Sequence, residues 1–468
     1  MKGDFSRLNL FDPLKQYTRV LQQQGRVQLD ADWNEQTDIL LHYLRTLASD
    51  LIGPFGGPAA NQGFGITAKP GAPDGQNKIA DLAIGAGRYY VDGLLAETGE
   101  TLYSGQQPYL PEHGDLPAAA FLVYLDVWER HVTFLQDDSL QEVALGGADT
   151  ASRARLAWRV RVTGKDKDGK PVADRLAKKT DTNRDGKDRD TAANVWPDLV
   201  KSWTPTGRLQ ARARRGGDDT DPCTASPEAS YRGLENQLYR VEVQDWDPAG
   251  TLWFRWSREN GSVVFAIEDL EGEVATLASL GRDDASGLKQ GDWVEITDDD
   301  FEEAGIPGPL RRVKDVDVSR NRVTLEAPAE GGDLPKYGEA GSPGAREKHA
   351  LLRRWDHRES PPAKSGPKPR GAVLYAVPAA GPMGEDGWLP LENGIQVRFQ
   401  PGTFRPGDCW LIPARTATGD VEWPGPPDNP DAVLPHGVEH RYAPLALVRG
   451  IATGDVLDLR RKFAITVS

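Results

Sequence analysis

The stretch TLWFRWSRENGSVVFAI, from Thr251 to Ile267, carries the clearest fold signal in this sequence. Apolar side chains alternate with others on both sides of Asn260-Gly261, at Leu252, Phe254, Trp256, Val263, Phe265 and Ile267. An Asn-Gly pair between two alternating apolar runs is the strongest short-range signature of a β-hairpin with a two-residue turn. The stretch therefore predicts two paired antiparallel strands.

Similar signals recur along the chain, outward from this hairpin in both directions. Asp92-Gly93 and Asn393-Gly394 each separate apolar runs, and residues 157–162 alternate apolar with basic side chains. Such repeated period-two patterns with tight turns are typical of antiparallel sheets. We predict a mainly β fold, in which an N-terminal α-helical arm precedes several small antiparallel β-sandwich or barrel modules.

The composition supports many short strands and excludes several classes of protein. The 468 residues include 50 Gly, 35 Pro and 13 Trp but only 2 Met and 2 Cys, Cys223 and Cys409. Frequent turn residues with few Met favour strands over a helical bundle. Two Cys cannot build a disulfide framework or a Cys-rich zinc site.

Charge and hydropathy bear on the partners and the compartment. The formal net charge of −14 disfavours binding to nucleic acid or to anionic membranes. The longest apolar run, Ala118 to Leu125, is far shorter than the ~20 residues that a membrane span needs. The first residues show no apolar secretion signal. We therefore expect a protein that is cytoplasmic when synthesised, with no membrane span.

Changes of pattern along the chain predict its domains. Lys, Asp, Arg and Gly dominate residues 164–222, and a Pro-Lys-Gly stretch lies near residues 361–371. The predicted divisions are a helical arm at 1–56, a first β domain at 57–163, a polar insertion at 164–222, a second β domain at 223–330 with an SH3-like barrel at 281–328, a linker at 331–371 and a C-terminal β domain at 372–468.

Residues 30–52 have the pattern of one long helix. Apolar side chains recur at three- and four-residue steps, and Gly53-Pro54 ends the run. A shorter helix is expected from Pro13 to Gln24. The long helix is either an arm that docks into a partner or a cap packed on the chain's own sheet. In the docking interpretation, the partner-binding residues are Trp33, Leu40, Leu44, Leu47 and Leu51.

Two stretches resemble metal sites. Asp181, Asn183 and Asp185, with Gly186, match the first half of a calcium loop, but position 12 is Ala192 where an acid is expected. The alternative is a solvated loop. His436 and His440 are four residues apart, but the surrounding Gly and Pro argue against the helix that would bring both rings to one zinc. Calcium is thus the only cofactor considered, and the expectation is none.

No nucleophile elbow, P-loop or dinucleotide fingerprint is present, so we expect no enzymatic activity. Asp126 with Glu129, or Glu259, would have to supply glycosidase-type acids, which need a defined separation across a cleft. Many Trp would suit a sugar-stacking platform, although most occupy apolar strand faces, with Trp423 in a Pro-rich loop the best candidate for exposure. Cys409 is expected to be a buried small residue.

Several long strings resemble a bacterial family known only as a domain of unknown function. They are MKGDFSR (1–7), QGRVQLDADWNE (24–35), YLDVWER (124–130), ALGGADT (144–150), YRGLENQLYRV (231–241), FRWSRENGSVV (254–264) and WLIPARTATG (410–419). Members of that family look like accessory structural proteins of phage-tail-like contractile injection systems. The resemblance implies no catalytic residues.

Two functions follow from these observations. The first is a non-enzymatic scaffold, tail- or baseplate-associated, in a phage-tail-like contractile injection particle. The N-terminal helix would anchor it to other particle subunits, with homo-oligomers and an extracellularly released particle as further expectations. The second is a carbohydrate-binding or carbohydrate-degrading β protein, which would need Trp and paired acids along an open cleft.

Overall fold

The computed structural model describes residues 1–8, 11–70, 79–105, 116–117, 119–146, 148–165, 169–172, 196–214, 230–247, 251–281, 287–326, 334–338, 343–357, 375–378, 387–450 and 455–464. The predicted fold class is confirmed: an N-terminal helix precedes a mainly β body of small, largely antiparallel sheets and one six-stranded closed barrel.

The principal helix, α1, spans Asp30–Ile52, and a short helix spans Asp299–Ala304. Single 3-10 turns occur at Pro13–Lys15, Asp138–Leu140 and Val143–Leu145, and residues 196–203 are also helical. The strands are β1 Phe55–Pro58, β2 Ile66–Pro70, β3 Ile79–Ile84, β4 Gly87–Val91, β5 Leu94–Thr98, β6 Thr101–Leu102, β7 Phe121–Val132, β8 Gln141–Glu142, β9 Ala148–Asp149, β10 Arg153–Thr163, β11 Arg208–Ala213, β12 Gln237–Asp247, β13 Thr251–Ser257, β14 Val264–Glu271, β15 Val274–Leu277, β16 Trp293–Thr297, β17 Leu310–Asp317, β18 Arg322–Leu325, β19 Leu351–Trp355, β20 Tyr375–Pro378, β21 Leu389–Pro390, β22 Ile395–Gln400, β23 Cys409–Arg415, β24 Asp420–Val421, β25 Arg441–Gly450, β26 Asp455–Asp458 and β27 Lys462–Phe463.

The first structural unit combines both ends of the chain. Its sheets are β27-β1-β4-β5, β10-β7-β25-β26 and β2-β3-β6, and they share one apolar core. Strand β25 pairs with β7 over seven residue pairs, from Arg441 opposite Val127 to Val448 opposite Phe121. The end of the predicted C-terminal domain at 372–468 is therefore part of the first unit, because β25 completes a sheet that the early strands leave open.

The second unit is a pair of sheets around a separate core. Sheet β11-β22-β21 faces sheet β20-β13-β12-β23-β24, and the core between them includes Trp256 and Trp410. The Asn393-Gly394 turn joins β21 to β22 as predicted, with positive φ at both residues. The Asp92-Gly93 turn of the first unit likewise joins β4 to β5.

The third unit is a closed barrel with strand order β14-β15-β18-β17-β16-β19. It begins at Val264, well before the predicted start at 281, and its last strand is Leu351–Trp355. That strand lies within the predicted linker 331–371. It belongs to the barrel because β19 pairs with both β14 and β16, which closes the sheet and leaves no free edge.

The hairpin predicted for 251–267 is wrong, although its turn is formed. Asn260 and Gly261 have φ values of 54° and 66°, and Ser262 N donates to Glu259 O at 2.9 Å. The flanking strands then separate into different units. Strand β13 is paired on its two edges with β12 and β20, whereas β14 is paired with β15 and β19. Among the described residues, β13 and β14 form no ladder with each other.

The arm before α1 contains less helix than predicted. Only Pro13–Lys15 forms a 3-10 turn, so the predicted helix from Pro13 to Gln24 is wrong. Gln16 adopts a left-handed conformation with φ 57°, which ends the turn. Helix α1 itself is confirmed over Asp30–Ile52 and ends at Gly53, with φ 89°.

Candidate assembly interface

Helix α1 is attached to the first unit along one side. Ala31 and Ile39 are its buried residues, and Arg45 Nη2 donates to Glu129 Oε1 of β7 at 2.6 Å. The β4–β5 turn also lies against the helix backbone, because a Cβ on Gly93 would be 2.3 Å from Arg45 O. These contacts fix the helix on the body while leaving its other side open.

The open side of α1 carries a stripe of apolar side chains that is interrupted only at Thr37. Trp33, Leu44 and Leu51 are 75%, 57% and 77% exposed. We name the stripe the α1 seam and define it as Trp33, Thr37, Leu40, Leu44, Leu47 and Leu51, all of which are exposed. The five residues predicted to bind a partner all lie in the seam. The alternative, a cap packed on the chain's own sheet, describes the opposite side of the helix, where Ala31 and Ile39 are buried.

The N-terminal arm contacts α1 and carries further exposed apolar side chains. Val20 N donates to Gln36 Oε1 at 2.8 Å, and the Phe11 and His42 rings are 5.1 Å apart. Exposed apolar residues of the arm are Leu14, Tyr17, Leu21, Val27 and Leu29. The sequence prediction missed this part of the surface because it assigned a helix to a segment that is mainly irregular.

Buried ion pairs join the second unit, which we call the sandwich, to the barrel. Arg255 of β13 donates from Nη2 to Glu242 Oε1 at 2.6 Å and to Glu295 Oε1 of β16 at 3.0 Å. Burial alone would raise the pKa of Glu242, but the cations Lys2, Arg240 and Arg255 hold it well below its usual range. Loss of either partner would leave an uncompensated buried charge between these two units, which is strongly destabilising.

The N-terminal residues reach this same joint. Asn260 Nδ2 donates to Met1 O at 3.2 Å and to Gly3 O at 2.9 Å, while Lys2 Nζ lies 3.5 Å from Glu242 Oε1. The sequence pattern predicts Asn260 only as a turn residue. Its second role depends on a contact across more than 250 positions, which local patterns do not reveal.

The acids considered for glycosidase chemistry are each paired with a cation. Asp126 accepts from Arg161 Nε at 2.9 Å and lies 2.7 Å from His440 Nδ1. Glu129 pairs with Arg45, as described above. Glu259 Oε2 is 3.2 Å from Arg354 Nη2, and burial raises the pKa of this acid. These carboxylates therefore hold neighbouring elements together in the structure.

The two histidines considered for zinc have separate surroundings. His436 Nδ1 accepts a hydrogen bond from Leu411 N at 3.1 Å, and burial lowers the pKa of His436 to about 4. His440 instead contacts Asp126. Within the residues that the structure describes, no group of three or more His, Cys, Asp or Glu is placed to hold a metal ion.

Several predicted residues have other outcomes. Asp181, Asn183 and Asp185 of the calcium loop, and Cys223, lie outside the described residues. Cys409 is buried in β23, as expected. Trp423 is only partly exposed and donates from Nε1 to Asp431 O at 2.9 Å. Among the described helices, none has the length and apolar character required to cross a membrane.

Comparisons with known proteins place the chain in a family. No curated protein sequence matches it. The crystal structure of TssK aligns with 73% of this chain and 96% of its own, at 12% identity and a TM-score of 0.15, which carries no argument about fold or function. The family of unknown function DUF6519 matches residues 1–204 and 200–453. The chain therefore belongs to the DUF6519 family.

Proposed function

We propose that this protein is a non-enzymatic structural component of a phage-tail-like contractile injection particle and is anchored in the particle through α1. The observation that carries the proposal is the exposed α1 seam on a helix whose opposite side is fixed to the body. An apolar stripe of this length on a water-exposed helix is stabilised when a partner covers it.

The remainder of the molecule supports a mechanical role. The sandwich and barrel are joined by the Arg255–Glu242 and Arg255–Glu295 pairs, and the barrel is also joined to the first unit. There, Arg130 of β7 lies 3.2 Å from Asp299 and 3.0 Å from Glu303. Buried ion pairs between the units disfavour free rotation of one unit against another. Such rigidity suits a subunit that holds its neighbours in a fixed relative position.

The choice of particle comes from the sequence resemblance. The strings QGRVQLDADWNE at 24–35 and FRWSRENGSVV at 254–264 resemble proteins associated with contractile injection systems. The first string contains the start of α1 and the second contains Asn260. Both therefore include residues that position the helix or the N-terminal segment, in agreement with an assembly role.

The carbohydrate alternative lacks a comparable observation in its favour. Trp128, Trp256 and Trp293 are buried in the apolar cores or between units, where a sugar ring cannot reach their faces. The exposed Trp33 belongs to the α1 seam. A sugar platform would require several exposed aromatic rings side by side.

Co-purification from producing cells tests the proposal. We expect the tagged wild-type chain to bring down tail-like particles, and Leu47→Glu to lose them because it places a charge in the α1 seam. Thr46→Glu adds the same charge at the neighbouring exposed position outside the seam and should behave as the wild type. Particles that lack the wild-type chain, or a wild-type chain that degrades glycans, would contradict the proposal.

A further inference from the structure

The α1 seam has the repeat of a coiled coil. Its six residues are spaced four, three, four, three and four apart, so Trp33, Leu40 and Leu47 occupy one core position of the heptad and Thr37, Leu44 and Leu51 the other. Helices with such a repeat bury the stripe against another helix with the same spacing. All six side chains are exposed in the single chain, so the complementary helix is not part of the chain's described fold.

The positions that flank the seam present no charge barrier to another copy of the same helix. In coiled coils, charged residues beside the core set the choice of partner by attraction or repulsion. Here the flanking positions are nearly free of charge: Asn34, Gln36, Leu41, Tyr43, Ala48 and Asp50. The chain carries a net charge of −14, yet identical copies would bring almost no like charges together along this stripe.

The available area also agrees with self-association through α1 and the arm together. The 23-residue helix is about 35 Å long, and a face ~10 Å wide provides only ~350 Å². A standard interface covers about 800 Å² on each partner. The exposed apolar residues of the arm, including Leu14 and Leu21, are further apolar surface that the same association could bury.

We infer that α1 pairs through its seam with α1 of other copies of this chain, forming a coiled-coil oligomer with the arms along its flank. The inference rests on the proposed function in one respect, namely that α1 is the docking element. It adds that the partner of α1 is the same helix in another copy of this chain. A closed cyclic arrangement of identical chains is the commonest form of such an assembly.

A charge-rescue experiment tests the pairing directly. Leu44→Glu and Leu44→Lys each place a charge at the centre of the seam, and each variant should sediment as a monomer. Their equimolar mixture should sediment as the wild-type oligomer, because opposite charges then meet across the interface. Thr46→Glu and Thr46→Lys, outside the seam, should remain oligomeric alone. Far-ultraviolet circular dichroism should be unchanged in all variants, since Leu44 is already exposed.

The outcomes separate this inference from the proposed function. A monomeric wild-type chain that still co-purifies with particles would overturn self-pairing and keep the structural role. An oligomer restored by charge rescue, without any particle subunit in the co-purification, would support self-pairing and contradict the structural role. Variants that remain oligomeric with a charge at position 44 would also overturn the inference, because the seam would then lie outside the interface.

Discussion

Asn260 shows how one residue can serve both a turn and a junction between units. Its φ of 54° suits the turn, its backbone N donates to Leu238 O, and its buried side chain holds the carbonyls of Met1 and Gly3. An Asn at a positive φ is common because its short polar side chain tolerates that conformation. Here the same side chain also secures the N-terminal segment that leads to the arm.

We predict that Asn260→Ala destabilises the protein by about 2–4 kcal/mol, because two carbonyls lose their donor and Ala is strained at this φ. Urea unfolding followed by Trp fluorescence measures the change. Asn321→Ala is the control, since Asn321 has a φ of 51° in the β17–β18 turn and is partly exposed. Its expected cost is ~1 kcal/mol. Equal losses in the two variants would contradict the junction role.

His357 makes stability depend on pH. Burial, helped by the Arg255 charge, lowers the pKa of His357 from 6.5 to about 3, and its ring stacks on Trp293 at 5.3 Å. Neither ring nitrogen has a hydrogen-bond partner among the described residues. Between pH 6.5 and about 3 the unfolded chain binds a proton here that the folded chain does not. The stability present above pH 6.5 is therefore lost as the pH falls.

We predict that His357→Phe removes ~2 kcal/mol of the stability loss between pH 7 and pH 5. The Phe ring can keep the stacking on Trp293 without taking up a proton. Asp408 acts in the opposite sense, because burial raises its pKa to about 7, but it is common to both proteins and cancels in the comparison. Chemical unfolding at several pH values measures the effect, with the exposed His42→Phe as control. Parallel curves for His357→Phe and wild type would disprove this account.

At the scale of elements, the close approach of the β4–β5 turn fixes α1 to the body. Gly93 has a φ of 77°, and a Cβ at this position would meet the backbone of Arg45. Gly272, in the β14–β15 turn, has a φ of 58° but open space around it. The two positions therefore share a backbone conformation and differ in what surrounds them.

We predict that Gly93→Ala costs about 2–4 kcal/mol, because the new methyl group displaces α1 in addition to straining the turn. Hydrogen exchange of the α1 amides should accelerate in this variant. Gly272→Ala should cost ~1 kcal/mol and leave α1 exchange at the wild-type rate. Unchanged exchange in Gly93→Ala would show that the turn does not hold the helix.

Local chemistry predicts the elements better than their pairing. The Asp-Gly and Asn-Gly turns at residues 92, 260 and 393 all adopt the expected positive φ, and the apolar period predicts the helix α1. Strand partners depend on contacts far apart in sequence. Strands β13 and β14 diverge after an ideal hairpin turn, and the Arg255–Glu295 pair forms only once the sandwich and the barrel meet.

At the scale of the whole molecule, the units are nested. In chain order, the strands belong first to the first unit, then to the sandwich, the barrel, the sandwich again and finally the first unit. Strand β25 lies between β7 and β26, and its Ala443, Leu445 and Val448 are part of the first core. The N-terminal strands therefore need the end of the chain to complete their fold.

We predict that a chain ending at residue 433 loses the fixed packing of its first unit, since β7 is left with an open apolar edge. Increased binding of an apolar dye and a weaker near-ultraviolet circular dichroism signal would report the loss. A chain ending at residue 464 keeps β25, β26 and β27 and should match the full-length protein. A native signal from the shorter chain would contradict the nested arrangement.

The solution mass of the purified wild-type chain decides whether the α1 seam is an assembly surface. Light scattering across a concentration series should give a whole-number multiple of 51.2 kDa, two or greater, while Leu47→Glu should give 51.2 kDa. A mass of 51.2 kDa for the wild type at every concentration, with no particle subunit bound to it in co-purification, would contradict an assembly role of the seam.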